Sequence, residues 1–303
     1  MAIPVIDFST LNGDKRGETM ALLHEACQKW GCFLIENHDI EGKLMEKVKK
    51  VINSYYEENL KESFYQSEIA KRLEKKENTC DVDWESSFFI WHRPASNIRK
   101  IPNLSEDLCQ TMDEYIDKLV QVAETLSQMM SENLGLEKDY IKKAFSGNNN
   151  NGPAMGTKVA KYPECPYPEL VRGLREHTDA GGIILLLQDD KVPGLEFFKD
   201  GKWIEIPPSK NNAIFVNTGD QIEVLSNGLY KSVVHRVMPD KNGSRLSIAS
   251  FYNPVGEAII SPAPKLLYPS NYCYGDYLEL YGKTKFGDKG PRFESIKNKA
   301  NGN

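Results

Sequence analysis

The sequence predicts an α+β protein with a mainly β core, in which helices come first and an antiparallel sandwich or barrel follows. Three observations carry this. Up to about residue 147 apolar side chains recur at helical steps. After the asparagine run at 148–151 the chain breaks into short apolar segments punctuated by turn dipeptides. No strand–helix alternation, no GxGxxG and no GxxxxGK[ST] occurs, which sets aside nucleotide-binding α/β folds.

Met20, Leu23, Cys27 and Trp30 recur at steps of three and four and stop at Gly31, marking a first helix with a glycine end signal. Cys32 to Ile35, apolar and lying between helices, reads as a strand. Leu44, Val48, Val51, Ile52 and Tyr55 mark a second helix. The charged stretch 68–83 reads as a surface connection. Ser105, followed by acidic Glu106 and Asp107, opens the best-defined helix, which carries Leu108, Met112, Tyr115, Leu119, Val122, Leu126 and Met129 before Gly135. Its stripe has coiled-coil steps, but it is short and its flanking charges are mixed, which suits a core helix lying along a sheet. In the second half, 183–187 is a continuous apolar run. Asp200-Gly201 separates 195–198 from 203–206, and Asn227-Gly228 separates 222–225 from 229–237, so both read as hairpin turns. No helix is expected within 183–252. Helical pattern returns around 276–281, before a polar, basic tail. The resulting segments are 1–104 (helix-rich), 105–152 (long helix and connection), 153–254 (β core) and 255–303 (helical extension and tail), within one compact unit.

Composition narrows the function classes. For 303 residues, surface scaling leaves roughly 13,000 of about 50,000 Å² exposed, enough burial for a core without disulfides. A net charge of -5 with scattered Lys and Arg offers no footprint for nucleic acid. Six cysteines without CxxC pairing read as reduced thiols. The opening MAIPVIDFSTLNG lacks the pattern of a signal peptide, and no stretch approaches the roughly 18 apolar residues of a membrane span. A cytoplasmic protein with a small-molecule partner, not a membrane or nucleic acid, is the expectation.

Two of the five histidines lie in the β half, in Arg175-Glu176-His177-Thr178-Asp179 and Val233-Val234-His235-Arg236-Val237. In extended chain, residues two apart project to one side, so His177 and Asp179 can present an imidazole and a carboxylate to one ion. His235 can complete a two-histidine, one-carboxylate face of the kind that suits non-haem Fe(II) and leaves positions open for substrate and oxygen. With 5 His and 17 Asp in 303 residues, chance alone gives roughly 0.3 His-x-Asp pairs, so the triplet needs its context. That context is Arg245-x-Ser247, in an alternating strand whose face Arg245, Ser247, Ala249 and Phe251 share. A guanidinium fork beside a hydroxyl forms a site for a carboxylate or similar anion. An ordinary surface arginine is the bland alternative. His24, His38 and His92 have no such company and read as structural or surface histidines.

These motifs, with Tyr162-Pro163-Glu164-Cys165-Pro166 before them and Phe251-Tyr252-Asn253-Pro254 after, resemble the plant Fe(II)- and 2-oxoglutarate-type dioxygenase superfamily. The opening Ile3-Pro4-Val5-Ile6-Asp7 and Trp30-Gly31-Cys32-Phe33 resemble its N-terminal region. More narrowly, Asp83-Trp84-Glu85-Ser86, Glu132-Asn133-Leu134-Gly135-Leu136, Gly156-Thr157-Lys158-Val159, the stretch 173–190 and Lys289-Gly290-Pro291-Arg292-Phe293 resemble the ethylene-forming 1-aminocyclopropane-1-carboxylate oxidase family. The resemblance covers nearly the whole chain. It implies a distorted double-stranded β-helix, or jelly roll, with flanking α-helices. It further implies Fe(II) held by His177, Asp179 and His235, ascorbate as reductant, and CO2 or bicarbonate as activator. The substrate it implies is a cyclopropane amino acid in place of 2-oxoglutarate, oxidised by O2 to ethylene, HCN and CO2. The anion-binding groups it implies are Lys158, Arg175, Tyr162, Arg245 and Ser247. It adds Gln188, Asn217, Phe251, Arg292 and Glu294 as pocket or activity residues. Solvated basic residues beside a strand are the bland alternative for Lys158 and Arg175. Asp39, where the superfamily usually has Gly, Glu164 in place of a common Pro, and the asparagine run are departures that touch local backbone shape.

The competing functions are a 2-oxoglutarate-dependent hydroxylase of a plant metabolite, which would use the same triad and Arg-x-Ser, and a catalytically silent small-molecule binder on the same scaffold. A zinc hydrolase is disfavoured because neither a nucleophile nor an HExxH string accompanies the ligands.

Overall fold

The computed structural model describes residues 3–148, 152–263 and 272–300. Along the chain the elements are β1 (Val5–Asp7), α1 (Arg16–Lys29), β2 (Cys32–Glu36), α2 (Gly42–Asn59), α3 (Lys61–Tyr65), α4 (Glu68–Glu74), β3 (Ser86–Arg93), α5 (Glu106–Asn133) and α6 (Tyr140–Ser146). Then come β4 (Ala154–Tyr162), β5 (Leu174–His177), β6 (Ile183–Gln188), β7 (Leu195–Lys199), β8 (Lys202–Glu205), β9 (Ile214–Thr218), α7 (Asp220–Leu225), β10 (His235–Val237) and β11 (Arg245–Asn253). The chain continues through β12 (Ile259–Ile260), β13 (Tyr272–Cys273), α8 (Tyr274–Thr284) and α9 (Lys289–Ala300).

Two sheets face each other. The larger has the order β1-β2-β9-β6-β11-β4-β3, antiparallel except for the β1–β2 pair, and the smaller the order β5-β10-β7-β8. Strand alternation divides the large sheet's side chains between two cores. Val159, Ile183, Leu185, Leu187, Ile214, Val216, Leu246, Ile248 and Tyr252 join the core shared with the α1, α2 and α5 helices. Ala160, Tyr162, Leu186 and Phe215 face the smaller sheet's Leu174, Leu195, Phe197 and Val237. This explains the continuous apolar run at 183–187, because both faces of β6 are buried. Strands of the first hundred residues complete the large sheet, so helices and β core form one framework.

The long helix starts as expected. The Ser105 side chain accepts from Leu108 N at 3.2 Å, and Gly135 lies at φ +71 beyond the C-terminus. Gly31 adopts φ +62, and a Cβ there would come within 2.3 Å of the Lys231 carbonyl oxygen, so only glycine ends α1 here. Asp39, the departure from glycine, sits at φ +61, a conformation that Asp tolerates better than most side chains.

Two expectations fail. The charged stretch 68–83 contains α4, capped by Ser67 and buried through Ala70 and Leu73, which pack with Trp84. Its one-sided apolar content is too short to stand out in a run of charges. The segment 222–225 is helical within α7, so Asn227-Gly228 ends a helix, with Gly228 N donating to Glu223 O at 2.7 Å, and turns no hairpin. A four-residue stretch such as Ile222-Glu223-Val224-Leu225 does not distinguish strand from buried helix. The asparagines at 149–151 lie outside the described residues.

The histidines given structural readings are held as such. His24 Nδ1 meets the Tyr230 hydroxyl at 2.8 Å, and His38 Nε2 meets Asn212 O at 2.8 Å. His92 is buried, with Nε2 3.0 Å from Thr157 Oγ1. Burial, with Arg93 nearby, pushes the His92 imidazole down to about 4 from its ordinary 6.5. Between those values the unfolded chain binds the extra proton, so this histidine makes stability fall as pH falls, by about 3 kcal/mol in total at roughly 1.36 kcal/mol per unit. In chemical denaturation, the stability difference between wild type and His92→Gln should therefore shrink from pH 7 to pH 4.5. Parallel curves would contradict this.

Candidate metal centre

The centre is assembled by strand register. β10 pairs with β5 on one side and β7 on the other, which sets His235 opposite both His177 and Phe197. The two imidazole centroids are 4.3 Å apart, and the Phe197 ring stacks on His235 at 4.9 Å with a 9° tilt. β5 ends at His177, so Asp179 lies just past the strand, and the loop rather than strand alternation brings its carboxylate round. Donor atoms of His177, Asp179 and His235 all lie within 4.8 Å of one another, with His177 Nε2 3.8 Å and His235 Nε2 3.5 Å from Asp179 oxygens.

This donor set fits a divalent ion. Donors about 2.1 Å from one ion lie within about 4.2 Å of each other, and both histidine–carboxylate separations satisfy that limit. Each histidine's Nδ1 is 2.8 Å from Arg175 O or 3.2 Å from Val233 O, which makes it the protonated nitrogen and turns the Nε2 lone pair toward Asp179. Burial, then the neighbouring His235 and Lys285, hold His177 well below the ordinary imidazole range, keeping it neutral as a ligand must be. Asn217 Nδ2 donates to Asp179 Oδ2 at 2.8 Å and orients that carboxylate.

An inner cavity of about 80 Å³ opens beside the triad, walled by Leu186, Phe197, Phe215 and Phe251, with Tyr162, Ser247 and Lys158 among its polar lining. Burial pushes the Tyr162 hydroxyl well above its ordinary range, so it stays protonated. Phe251, Lys158, Asp179 and Lys285 also line a vestibule of about 710 Å³, whose outer wall includes Phe89, Trp91 and Leu278. The cavity and the vestibule therefore meet at Lys158 and Lys285.

The anion and pocket residues named from sequence fall into two groups. Lys158, Tyr162, Ser247, Asn217 and Phe251 reach the cavity. The others stand behind it or away from it. Arg245 is fully buried, with one terminal nitrogen donating to Gln188 Oε1 at 2.9 Å and the other to Val192 O at 2.9 Å; Gln188 in turn donates to Pro207 O. Arg175 donates to both oxygens of Asp83, at 2.9 and 3.4 Å, and its guanidinium lies 3.7 Å from the Phe286 ring centroid. Arg292 is 1% exposed and donates to Thr178 Oγ1 and Thr284 O, while Glu294 is exposed on α9 and lines neither space.

Three side chains escaped the sequence reading. Glu85 accepts from Lys158 Nζ at 2.6 and 2.8 Å, and Asp83 receives Arg175; the motif holding both was visible, but nothing in it says which lysine or arginine it meets. Lys285 follows α8 within a basic stretch that reads as solvated tail. Burial and the nearby Lys158 lower its proton affinity, against the pull of Asp179, Glu85 and Asp83.

Residues 151–254 match the family model of the 2OG-Fe(II) oxygenase superfamily, and residues 3–107 match that of the N-terminal region of non-haem dioxygenases in morphine synthesis. The chain is 69% identical to 1-aminocyclopropane-1-carboxylate oxidase 1 of Arabidopsis thaliana over 99% of its own length and 96% of the relative's. It is 48% identical to 1-aminocyclopropane-1-carboxylate oxidase 2 of Malus domestica, covering 97% and 91%. Among solved structures, the crystal structure of JOX2 in complex with 2OG, Fe and JA superposes with a TM-score of 0.82 at 31% identity, covering 98% of this chain and 89% of that one. A rice dioxygenase for auxin oxidation, at 21% identity and a TM-score of 0.75 over 95% and 98% of the two chains, shares the fold. Among the described residues no helix is long and apolar enough to cross a membrane. With its double-stranded β-helix and near-complete alignment to these relatives, the chain belongs to the 1-aminocyclopropane-1-carboxylate oxidase family of the 2OG-Fe(II) oxygenase superfamily.

Proposed function

We propose that this chain oxidises 1-aminocyclopropane-1-carboxylate with O2 to ethylene, HCN and CO2, using Fe(II) held by His177, Asp179 and His235. Ascorbate is the reductant and CO2 or bicarbonate the activator. The observation that carries the reading is the His-Asp-His cluster, buried and oriented for one ion, in a chain that aligns end to end with oxidases of this name.

When bound, Fe(II) supplies one-electron chemistry with O2 and Lewis acidity toward the amine and carboxylate of the amino acid. The electron balance then demands a second reductant. Reduction of O2 to two waters takes four electrons, and opening the ring to ethylene, HCN and CO2 releases two, so ascorbate supplies the other two. The chain's own residues perform the remaining tasks. The two histidines, each oriented through Nδ1, and the carboxylate held by Asn217 keep a preorganised donor set. Leu186, Phe197, Phe215 and Phe251 exclude water from the inner cavity, which strengthens every charge interaction within it. Lys158 and Lys285, at the junction with the vestibule, are the fixed positive charges for a carboxylate, bicarbonate or ascorbate, with the Ser247 hydroxyl as an inner donor. Arg175 braces the mouth through Asp83 and Phe286.

Gas analysis of the purified protein tests the reaction. With Fe(II), ascorbate, bicarbonate and the cyclopropane amino acid, ethylene should form whether or not 2-oxoglutarate is present. Consumption of 2-oxoglutarate without ethylene would replace this reading with the hydroxylase, and failure to bind Fe(II) or turn over at all would leave a silent binder. Alanine at His177, Asp179 or His235 should each lower ethylene production at least roughly 100-fold with loss of Fe(II) in a metal titration. His38→Gln should retain most activity. Lys285→Met should raise the bicarbonate or ascorbate concentration for half-maximal rate roughly 10-fold, the worth of one charge-assisted hydrogen bond, with metal affinity retained; unchanged requirements for both would remove Lys285 from the anion site.

A further inference from the structure

Besides Asn217 and Asn253, which bond Asp179 and Gly182, the loop that carries Asp179 is held by one short helix and the C-terminal helix pair. Successive amides at the start of α7 donate into it: Gly219 N to Gly182 O at 2.7 Å, Asp220 N to Asp179 O at 2.8 Å and Gln221 N to Gly181 O at 2.9 Å. The approach is close enough that a Cβ at Gly219 would lie 2.4 Å from Gly181 O. Gln221 Nε2 adds a bond to Ala180 O, and the Tyr281 hydroxyl, from α8, donates to Thr178 O.

Thr178, between the two ligands His177 and Asp179, is where this network meets a buried charge. Its hydroxyl donates to Asp220 Oδ2 at 3.3 Å and accepts from Arg292 at 2.7 Å. Asp220 has no exposed surface, and its carboxylate also accepts from Ser232 Oγ at 2.7 Å and the Tyr277 hydroxyl at 2.5 Å, with the Arg292 guanidinium 3.6 Å away. Arg292 spends its other terminal nitrogen on Thr284 O, the last residue of α8. A single carboxylate therefore joins the metal loop, the approach to β10, α8 and α9. A buried carboxylate is tolerated only when its partners are all in place, so these groups order together or not at all. Tyr281, Ala180 and Gly181 line the vestibule, but the Asp220 carboxylate and its partners Thr178, Tyr277, Ser232 and Arg292 are absent from both linings.

We propose that Asp220 is a positioning residue of the metal centre: through Thr178 and Arg292 it fastens the C-terminal helix pair to residues 177–179 and so sets the spacing of His177 and Asp179. On this account Arg292 acts through Thr178 and Asp220 and touches no reactant. A second tie between α9 and the framework, Lys289 to Glu223 at 2.5 Å, shares the Ser232 backbone with this network but contacts neither Thr178 nor the Asp220 carboxylate, and provides the internal control.

The inference rests on the metal-centre reading, and Co(II) as a spectroscopic probe keeps the test independent of ethylene formation. Wild type, Asp220→Asn and Glu223→Gln are titrated with Co(II), with absorbance in the ligand-field region and hydrogen exchange over 274–295 as readouts. Asp220→Asn should weaken Co(II) binding roughly 10-fold or more, the usual cost of losing a residue that orients ligands, and shift the ligand-field bands. Glu223→Gln should raise exchange in α9 and leave the bands where they are. Wild-type affinity and bands in Asp220→Asn would overturn the proposal, as would equal band shifts in both variants. Should Asp220→Asn fail to fold, Tyr277→Phe, which removes one donor to the carboxylate, decides by the same bands: a shift supports the proposal and unchanged bands reject it. Wild-type protein that binds no Co(II) would reject the metal-centre reading itself, an outcome separate from these.

Discussion

The site depends on one cross-strand pairing, His235 of β10 against His177 of β5. Side chains alternate with a period of two, so a slip of one residue in β10 would turn His235 outward and put Arg236 in the core. The register is pinned from both faces. Inside, the Phe197 ring stacks on His235. Outside, Arg236 donates to Glu196 at 2.6 Å and Glu176 at 3.0 Å, and its guanidinium lies 4.0 Å from the Trp203 ring centroid. β10 is only three residues long, and backbone bonds alone would hold such a strand weakly. A planar cation that must meet two carboxylates and an indole accepts only one register, and that register is the one that assembles the triad.

Charge around the cavity is balanced in a way that anticipates anionic reactants. Asp83 pairs with Arg175 and Glu85 with Lys158, each pair partly buried. Lys285 and Asp179 then remain as one positive and one negative group facing the same space. These three cations and three carboxylates cancel, so a divalent ion leaves the site two charges positive in a setting with little water to screen them. Under the proposed function, a bound carboxylate and a bicarbonate or ascorbate anion would offset that excess. The like-charged approach of Lys158 and Lys285, unfavourable in the empty site, becomes an attraction for whatever anion enters between them.

The two histidine ligands were legible in sequence because each sits at the end of a strand, whereas Asp179, expected to share a strand face with His177, reaches the site through the loop after β5. The long α5 helix and the β7–β8 hairpin were legible for the same reason: periodicity and turn chemistry act locally. What remained hidden is what the tertiary structure alone decides. Arg245 and Ser247 share a face, as alternation predicts, yet Ser247 reaches the cavity while the Arg245 fork is absorbed by Gln188 and Val192, residues more than fifty positions away. Lys285 looks like its solvated neighbour Lys283 until the chain folds back, and α7 hides in the short stretch Ile222–Leu225, which propensity reads equally as strand. Asp220 carries no motif at all; its importance lies in donors drawn from four separate parts of the chain.

The distribution of space bears on how reducing equivalents arrive under the proposed function. A 2-oxo acid cosubstrate, as the hydroxylase alternative requires, would need the Arg245 fork free to receive a carboxylate beside the metal centre. Here that fork is committed to Gln188 and Val192, and the inner cavity of about 80 Å³ is largely apolar-walled. The larger space lies on the outer side, in the 710 Å³ vestibule, with Lys158 and Lys285 at its inner end. A small amino acid can fill the inner cavity while a separate anionic reductant approaches from the vestibule, so the two halves of the electron supply come from different directions. In that arrangement the C-terminal helices, through Lys285 on the vestibule and Arg292 behind the metal loop, couple the position of the anion site to the position of the ligands, and the β framework alone would deliver only the second.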